Sequence, residues 1–227
     1  MSAPVQLALD LPHRTATGAA DFLVASSNRD AVAWLDRWPA WPGPALVLHG
    51  PEGCGKTHLT HVWRAQSGAV MIDRAVLTAC RVPDLLGPAR GAVVEDVDRG
   101  VDERGLLHLH NLLAEDGGHL LLTARLGPAA WGTRLPDLAS RLGAAMSVAV
   151  GAPDDALIGA VLVKHFADRQ LAVDPAVITF LLARMERSFA AARDLATALD
   201  SAALAAKRKI TVPLAREVLR QFKDEPD

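Results

Sequence analysis

The chain has 227 residues, of which 50% are hydrophobic and 22% charged, and its 24 basic and 26 acidic side chains give a formal net charge of −2. A hydrophobic share of this size is enough for a packed core, which excludes a chain that is disordered throughout. The near-neutral balance excludes a protein that holds nucleic acid mainly by bulk positive charge, although it leaves a local basic patch open. Cys54 and Cys80 alone can build neither a disulfide framework nor a tetrahedral cysteine site.

Residues 1–20 are predicted to form an arm without regular structure. Prolines and glycines interrupt any period there, and the one apolar string is Gln6-Leu7-Ala8-Leu9-Asp10-Leu11. The N-terminus lacks a charged segment followed by an apolar one, and no run approaches the ~18 apolar residues that span a bilayer. We therefore expect a soluble, cytoplasmic protein without a membrane partner.

The arm is followed by a predicted helix over residues 27–38. Ser27 or Asn28 can cap it, and Leu35 and Trp38 fall on one face. The prolines that follow Trp38 end this helix.

Short continuous apolar runs then alternate with helical patterns. Continuous runs are typical of strands that helices cover on both faces. The pattern predicts an α/β fold with a five-stranded, mostly parallel sheet of the doubly wound kind. The strands are expected at 45–49, 69–72, 92–94, 120–123 and 145–150, and the helices between them at 57–65 and 106–113.

The pattern changes near residue 151, after which only helical periods occur. Helices are predicted over 157–166, from Pro175, from Ser188 to about 206, and after Thr211, which caps a last helix. We therefore divide the chain into an arm (1–20), an α/β base (21–152) and a small all-α lid (153–227).

A phosphate-binding loop follows the first predicted strand of the sheet. The sequence matches G-x-x-x-x-G-K-[ST] in full, between a buried strand and a helix. Glycines let backbone N–H groups point inward, and the helix that follows adds the positive end of its dipole. The lysine can reach outer phosphates, and the threonine hydroxyl can bind Mg²⁺. The loop consists of Gly50, Pro51, Glu52, Gly53, Cys54, Gly55, Lys56 and Thr57.

A P-loop needs an acidic partner on a neighbouring strand, and Glu95 and Asp96 end the run 92–94. One carboxylate can orient the water shell of a metal, and the other can polarise an attacking water. The alternative is an acidic turn after a strand. Asp98 is predicted to be a solvated loop residue.

Two arginines have two interpretations each. Arg141 precedes the last predicted strand, where it is either a surface charge or a finger aimed at the phosphate of a neighbouring subunit. Arg193 opens a helix of the lid, where it is either a surface charge or a group that reaches the nucleotide.

The histidines and tryptophans are predicted to be structural. The pairs His58/His61 and His108/His110 lack a third ligand at a suitable offset, so they are assigned to helix surfaces. The tryptophans, three of them at 34, 38 and 41, are assigned to packing.

The ordered set of motifs resembles that of the AAA+ ATPases, and among them the ATPase region of the bacterial replication initiator DnaA. The arm string is similar to the Q-L-x-L-x-L peptide that binds the replication sliding clamp. A DnaA-like ATPase with such an arm resembles the Hda/HdaA family. The similarity to DnaA runs through Asp21-Phe22-Leu23-Val24, Asn28, the phosphate loop, Glu95-Asp96, Leu120-Leu121-Leu122-Thr123, Ser140-Arg141 and Ala192-Arg193-Asp194-Leu195.

The resemblance implies a negative regulator of replication initiation. Such a protein binds adenine nucleotide (ADP in the first instance, or ATP) with Mg²⁺, docks on the DNA-loaded sliding clamp, and stimulates hydrolysis of DnaA-bound ATP. The implied partners are DnaA and the β subunit of DNA polymerase III. The resemblance implies no direct sequence-specific DNA binding, and a homo-oligomer stays open.

The resemblance also assigns roles to residues. Lys56 and Thr57 would bind phosphates and Mg²⁺, and Glu95 and Asp96 would take the Walker B positions, with Glu95 at the metal directly or through water. Arg141 would be the arginine finger in trans. The remaining nucleotide contacts would come from Asn28 near the adenine, from Arg193 as the sensor arginine of the lid and from His58 beside Thr57. The clamp-binding residues would be Gln6, Leu7, Leu9 and Leu11.

Two departures from the DnaA pattern bear on hydrolysis. Glu95 stands where the first Walker B aspartate is usual, and Thr123-Ala124-Arg125 replaces the acidic sensor sequence. Both changes predict weak intrinsic ATPase activity and are compatible with ADP held as a structural ligand. The alternative hypothesis is an autonomous AAA+ ATPase or a remodelling protein of the helicase-loader type.

Overall fold

The computed structural model describes residues 13–14 and 22–224, so the predicted clamp-binding residues 6–11 lie outside the described residues. The chain divides at Gly151–Ala152 into two compact units. We call the unit that ends at Gly151 the base and the helical unit that follows it the lid.

The base is built on a parallel sheet of five strands. They are β3 (Ala45–His49), β4 (Val70–Ile72), β5 (Gly91–Val94), β6 (His119–Ala124) and β7 (Met146–Ala149), and two-residue strands β1 (His13–Arg14) and β2 (Phe22–Leu23) precede them. The order across the sheet is β4-β5-β6-β3-β7. Every pairing within it is parallel. The predicted α/β class is therefore confirmed, and the sheet is fully parallel.

Both faces of the sheet are covered, as the continuous apolar runs predict. Along β3, Ala45 and Val47 pack into one hydrophobic core, whereas Leu46 and Leu48 pack into another on the opposite face. The helices of the base are α1 (Arg29–Asp36), α2 (Lys56–Ser67), α3 (Val82–Leu86), α4 (Glu103–Glu115) and α5 (Pro136–Ala144), with short 3-10 turns at Ala79–Arg81, Val97–Arg99 and Pro128–Ala130.

The sequence pattern missed α3 and α5. Both missed helices are short and begin with proline at the first or second position, so the helical period has little length in which to appear. Asn28 is the residue before α1, but its side chain makes no capping bond. Its amide instead accepts a hydrogen bond from the Ala25 N–H (2.9 Å) and donates one to the Leu23 carbonyl (3.0 Å).

Tryptophans pack one face of the base. Trp63 is fully buried, stacks on Trp41 at a centroid distance of 5.3 Å and meets Trp38 edge-on at 6.2 Å. The predicted packing role of Trp38 and Trp41 is therefore confirmed. His110 differs from its prediction, because it is buried on α4 and does not lie on a helix surface.

The lid contains α6 (Asp155–Asp168), α7 (Pro175–Leu182), α8 (Phe189–Ala206) and α9 (Val212–Asp224) around one core. Asp154, Asp174 and Ser188 cap the first three of these helices through their side chains. The longest, α8, buries Leu195 and Leu199, and α6, α7 and α9 pack beside them. Within the part of the chain that the structure describes, no helix combines the length and apolarity needed to cross a membrane.

The α8 core yields a stability prediction. Leu199 is fully buried, whereas Leu204 on the same helix is 78% exposed. Leu199→Ala should lower the free energy of unfolding of the lid by about 2–5 kcal/mol through lost contacts and a residual cavity. Leu204→Ala is the matched control and should change it by less than about 0.5 kcal/mol. Urea unfolding followed by far-UV circular dichroism measures both, and equal losses would contradict the packing described here.

Candidate functional site

The phosphate loop connects the carboxyl end of β3 to the first turn of α2. Gly53 and Gly55 have φ angles of 74° and 97°, which side chains with a Cβ rarely adopt. Gly55 directly precedes α2, so the unpaired N–H groups of the first helical turn face the loop. Such a loop is suited to bind the oxygens of an anion.

Lys56 places its ammonium group over this loop. The side chain is buried, and Nζ donates to the carbonyl oxygens of Gly50 and Pro51, both at 2.8 Å. The Cys54 sulfur lies 3.7 Å from the same Nζ, and burial raises the pKa of this thiol. Cys54 is therefore a neutral packing residue of the loop at neutral pH.

Glu95 is held at the end of β5 by a threonine of α2. The Thr60 hydroxyl is within hydrogen-bonding distance of Glu95 Oε1 (2.9 Å) and of the Thr57 carbonyl (2.8 Å). The carboxylate of Glu95 is thereby tied to the helical turn that carries Thr57. Hydroxyl and carboxylate oxygens are ligands that Mg²⁺ prefers, so Thr57 and Glu95 fit the predicted metal.

Asp96 bends the chain directly after Glu95. It adopts a left-handed conformation with φ of 52°, which aspartate tolerates better than most residues. Its backbone N–H donates to the Thr123 hydroxyl at the end of β6, at 3.1 Å. The ends of β5 and β6 are therefore joined by a side chain at the edge where the phosphate loop lies.

Asp98 was predicted to be a solvated loop residue, and this prediction is wrong. Its side chain is only 6% exposed, and Oδ2 accepts a hydrogen bond from the Arg125 backbone N–H at 3.0 Å. The Arg125 Nε lies 3.6 Å from the same oxygen, while Oδ1 is buried without a hydrogen-bond partner among the described residues. Asp98 therefore holds the segment that follows β6.

An exposed ion pair joins the phosphate loop to the turn after β5. Glu52 accepts a hydrogen bond from Arg99 at 3.0 Å, and Arg99 Nε lies 3.9 Å from Asp96 Oδ2. Exposed pairs of this kind contribute roughly 0–1 kcal/mol, so this pair orients the loop more than it stabilises the fold.

Asn28 and His58 are also predicted to contact the nucleotide, and both lie in the base. Both polar atoms of the Asn28 side chain form hydrogen bonds with the backbone of residues 23–25. The carbonyl of the preceding residue, Ser27, accepts a hydrogen bond at 2.8 Å from the backbone N–H of Gly151, which follows β7. His58 is exposed on α2, where partial desolvation and the neighbouring His61 lower its pKa, so it is neutral at pH 7. Their contact with a nucleotide stays a prediction.

Arg141 is exposed on α5, a helix that buries Leu138 and Leu142. The start of this helix is held by a carboxylate of α4. Glu103 accepts hydrogen bonds from the Arg134 N–H (3.0 and 3.1 Å to its two oxygens) and the Leu135 N–H (2.7 Å). The helix that presents Arg141 outward is therefore fixed to its neighbour.

The positive charge of Arg141 also acts on His110, a buried residue of the base. Burial first, and then the positive charge of Arg141, lower the pKa of His110 on α4, while a hydrogen bond with Asn111 opposes this shift. His110 is therefore neutral at pH 7 and acts as a packing residue between α4 and α5.

Arg193 lies in the second turn of α8 in the lid, where its Nε is 3.0 Å from Asp194 Oδ1. Its role toward a nucleotide stays a prediction. Among the described residues, no group of three or more histidine, cysteine, aspartate or glutamate side chains is arranged to hold a metal ion.

The sequence analysis missed three residues that organise the site. They are Thr60, which holds Glu95; Asp98, which holds Arg125; and Glu103, which holds the start of α5. Only Thr60 had a visible signal, because it lies one turn after Thr57 on the same helix. The other two join segments roughly thirty residues apart, and no periodic pattern predicts such contacts.

Comparisons with known proteins identify the relatives of both units. Residues 155–219 match the family described as Hda, lid domain. The chain is similar to domain III of the replication initiation protein DnaA of Thermotoga maritima, with 18% identity, a TM-score of 0.74, and 90% of this chain and 95% of that chain covered. It is also similar to AMPPCP-bound DnaA of Aquifex aeolicus, with 14% identity, a TM-score of 0.69, and coverage of 90% and 68%.

A third structural relative is a single-residue variant of the RuvB protein of Thermotoga maritima. The identity is 14% and the TM-score 0.70, with 88% of this chain and 69% of that chain covered. At these identities, the likeness establishes a shared fold and carries no residue roles.

The contacts of Glu103 yield a stability prediction for the base. Glu103→Ala removes the acceptor of the Arg134 and Leu135 N–H groups and should lower the free energy of unfolding by about 1–2 kcal/mol. Glu103→Gln keeps a carbonyl acceptor and should recover part of this loss. Glu115→Ala, at the exposed far end of the same helix, is the control and should change the free energy by less than about 0.5 kcal/mol.

Tryptophan fluorescence during urea unfolding reports the base alone, because all 5 tryptophans precede residue 152. Identical stabilities for Glu103→Ala and Glu115→Ala would contradict the proposed anchoring of α5.

Proposed function

Because the chain is an AAA+ protein related to Hda and DnaA, we propose that it binds adenine nucleotide and stimulates hydrolysis of DnaA-bound ATP in trans. The Hda lid match and the DnaA-like AAA+ fold support a DnaA-related replication regulator. We further propose that the chain docks on the DNA-loaded sliding clamp. In this proposal the chain is a negative regulator of initiation, because it converts the ATP form of DnaA to the ADP form.

Nucleotide binding is supported by the loop between β3 and α2. Lys56 is the cation for the outer phosphates, Thr57 and Glu95 are oxygen donors for Mg²⁺, and the start of α2 supplies backbone N–H groups. When bound, Mg²⁺ would neutralise phosphate charge. AMPPCP is bound in the related Aquifex aeolicus DnaA structure, which supports a nucleotide at the same loop here. ADP is the proposed resident ligand.

The site favours a weak intrinsic ATPase. Glu95 replaces the shorter aspartate, and its carboxylate is engaged by Thr60. The segment after β6 presents Arg125, which is bonded to Asp98, where the DnaA pattern has an acidic sensor. These two features leave Asp96 as the carboxylate available to orient a water.

The exposed position of Arg141 carries the proposal for action in trans. An arginine that acts on the nucleotide of a partner must project from its own surface and must be held in place. Arg141 meets both conditions, since it is exposed on α5 and Glu103 fixes the start of that helix. A guanidinium inserted beside the phosphate that is transferred neutralises charge that develops in the transition state.

An Arg141 variant tests this role directly. Arg141→Ala should fold and bind ADP normally but lose stimulation of DnaA-bound ATP hydrolysis by a factor on the order of 10³, the usual effect of an arginine finger. Arg104→Ala removes an exposed arginine from the neighbouring α4 and is the matched control. Release of phosphate from ATP preloaded on DnaA measures both variants. Full stimulation by Arg141→Ala would contradict the assignment.

The arm is proposed to dock on the clamp as an extended peptide. Leu9 and Leu11 would enter an apolar pocket, and the amide of Gln6 would bond beside it, with Leu7 contributing apolar contact. The double variant Leu9→Ala/Leu11→Ala should reduce capture by immobilised sliding clamp at least about tenfold, since two buried leucines are lost. Val5→Ala, just outside the motif, should leave capture unchanged. Equal capture of all three proteins would remove the clamp from the proposal.

The alternative is an autonomous AAA+ ATPase that remodels other proteins. The structural likeness to RuvB, described in one related structure as a Holliday junction branch migration motor, favours this class. It requires steady ATP turnover by the chain alone. The Glu95 and Arg125 departures oppose such turnover.

A further inference from the structure

The lid has a surface pocket of about 230 Å³ between α7 and α9. Its lining combines an aromatic ring, one aliphatic side chain and positive charge. The residues are Phe180, Arg184, Arg216, Leu219 and Arg220.

The arginines of this pocket are arranged around the Phe180 ring. The Arg184 guanidinium carbon lies 4.2 Å from the ring centroid and that of Arg216 lies 5.6 Å from it. Arg184 Nη1 also donates to the Phe180 carbonyl at 3.3 Å. Stacking of this kind holds a guanidinium while its N–H groups can still bind a ligand.

The same arginines differ from the other arginines of the lid in having no acidic partner. Arg169, Arg187, Arg193 and Arg208 each lie within 3.8 Å of a carboxylate oxygen. Across the side chains described up to residue 222, no carboxylate lies within ion-pair distance of Arg184, Arg216 or Arg220. These three arginines thus form a cluster of unpaired guanidinium groups in the lid, although the whole chain carries a net charge of −2.

We propose that this pocket binds the phosphodiester backbone of DNA. A guanidinium presents a planar set of N–H donors that matches two phosphate oxygens. Arg216 and Arg220 are four residues apart on α9, so they are stacked about 6 Å apart along one helix face. This spacing lets them contact neighbouring phosphates of one strand, while Arg184 approaches from the turn that follows α7. No side chain of the lining provides a set of acceptors and donors that would read base edges, so the binding is independent of sequence.

The pocket favours a phosphate chain over a folded acidic protein surface. Its volume of about 230 Å³ accommodates small charged groups, and three arginines line that volume. The phosphates of DNA are held at regular, close spacing by the backbone. The carboxylates of an acidic protein surface lie on flexible side chains, and each of these side chains loses conformational entropy when it binds.

The expected affinity follows from the number of contacts. Each phosphate contact contributes about 0.9 to the slope of log K against log salt, so the pocket contributes about 2.7. Three contacts give only weak binding at physiological salt. The measurement therefore starts at about 20 mM salt, where counterion release favours binding most.

The test uses the full chain and a fluorescein-labelled duplex of about 20 base pairs, long enough to cover several phosphate contacts, in a fluorescence anisotropy titration. The pocket variant is Arg216→Gln/Arg220→Gln. The control, Arg187→Gln/Arg208→Gln, removes the same charge from exposed, paired arginines of the lid. The pocket variant should lose at least about tenfold in affinity, and its salt slope should fall by about 2, whereas the control should keep both.

Three results would overturn the inference. One is the absence of salt-dependent binding by the wild-type chain, and another is an equal loss in the two double variants. The third is competition by polyglutamate as effective as that by unlabelled duplex, which would assign the pocket to an acidic polypeptide. The inference does not rest on the proposed function, because the assay contains neither DnaA nor clamp. Melting curves of both variants show that their folds are retained.

Discussion

The turn of the chain between β3 and α2 is the constraint on which the rest of the base depends. It requires a buried central strand that ends beside a helix start, with positive φ angles at Gly53 and Gly55 in between. Lys56 can then lie over the loop, bonded to two carbonyl oxygens at 2.8 Å. The neighbouring strands β6 and β7 flank β3 on either side, so their carboxyl ends meet the same edge.

Around this loop, the site is assembled from pairs of elements joined by single side chains. Thr60 joins α2 to β5, Thr123 joins β6 to the turn after β5, and Asp98 holds the segment after β6. Glu103 joins α4 to the start of α5. Because these bonds tie loops and turns to neighbouring elements, the positions of Glu95, Arg125 and α5 are set by neighbours distant in sequence.

The sequence predicted those features of the fold that depend on patterns among residues near each other in the chain. The five strands and the helices of the lid follow from apolar periodicity, and the phosphate loop follows from its glycines, lysine and strand–helix context. Contacts over long sequence separation could not be predicted in this way. Asp98 was predicted to be solvated, yet its carboxylate accepts a hydrogen bond from the backbone of Arg125, 27 positions later in the chain. His110 was assigned to a helix surface because its pair lacked a third metal ligand, but burial of a polar residue depends on which elements pack beside it, and His110 is buried.

The central claim is that this chain acts on the nucleotide of another protein and hydrolyses its own slowly. A single-turnover measurement on ATP preloaded on DnaA tests it most directly, with and without this chain and DNA-loaded clamp, beside steady-state turnover by the chain alone. The account predicts clamp-dependent acceleration of DnaA-bound ATP hydrolysis by the ADP-bound chain, with little turnover by the chain itself. Steady turnover by the chain alone, without any effect on DnaA, would contradict it.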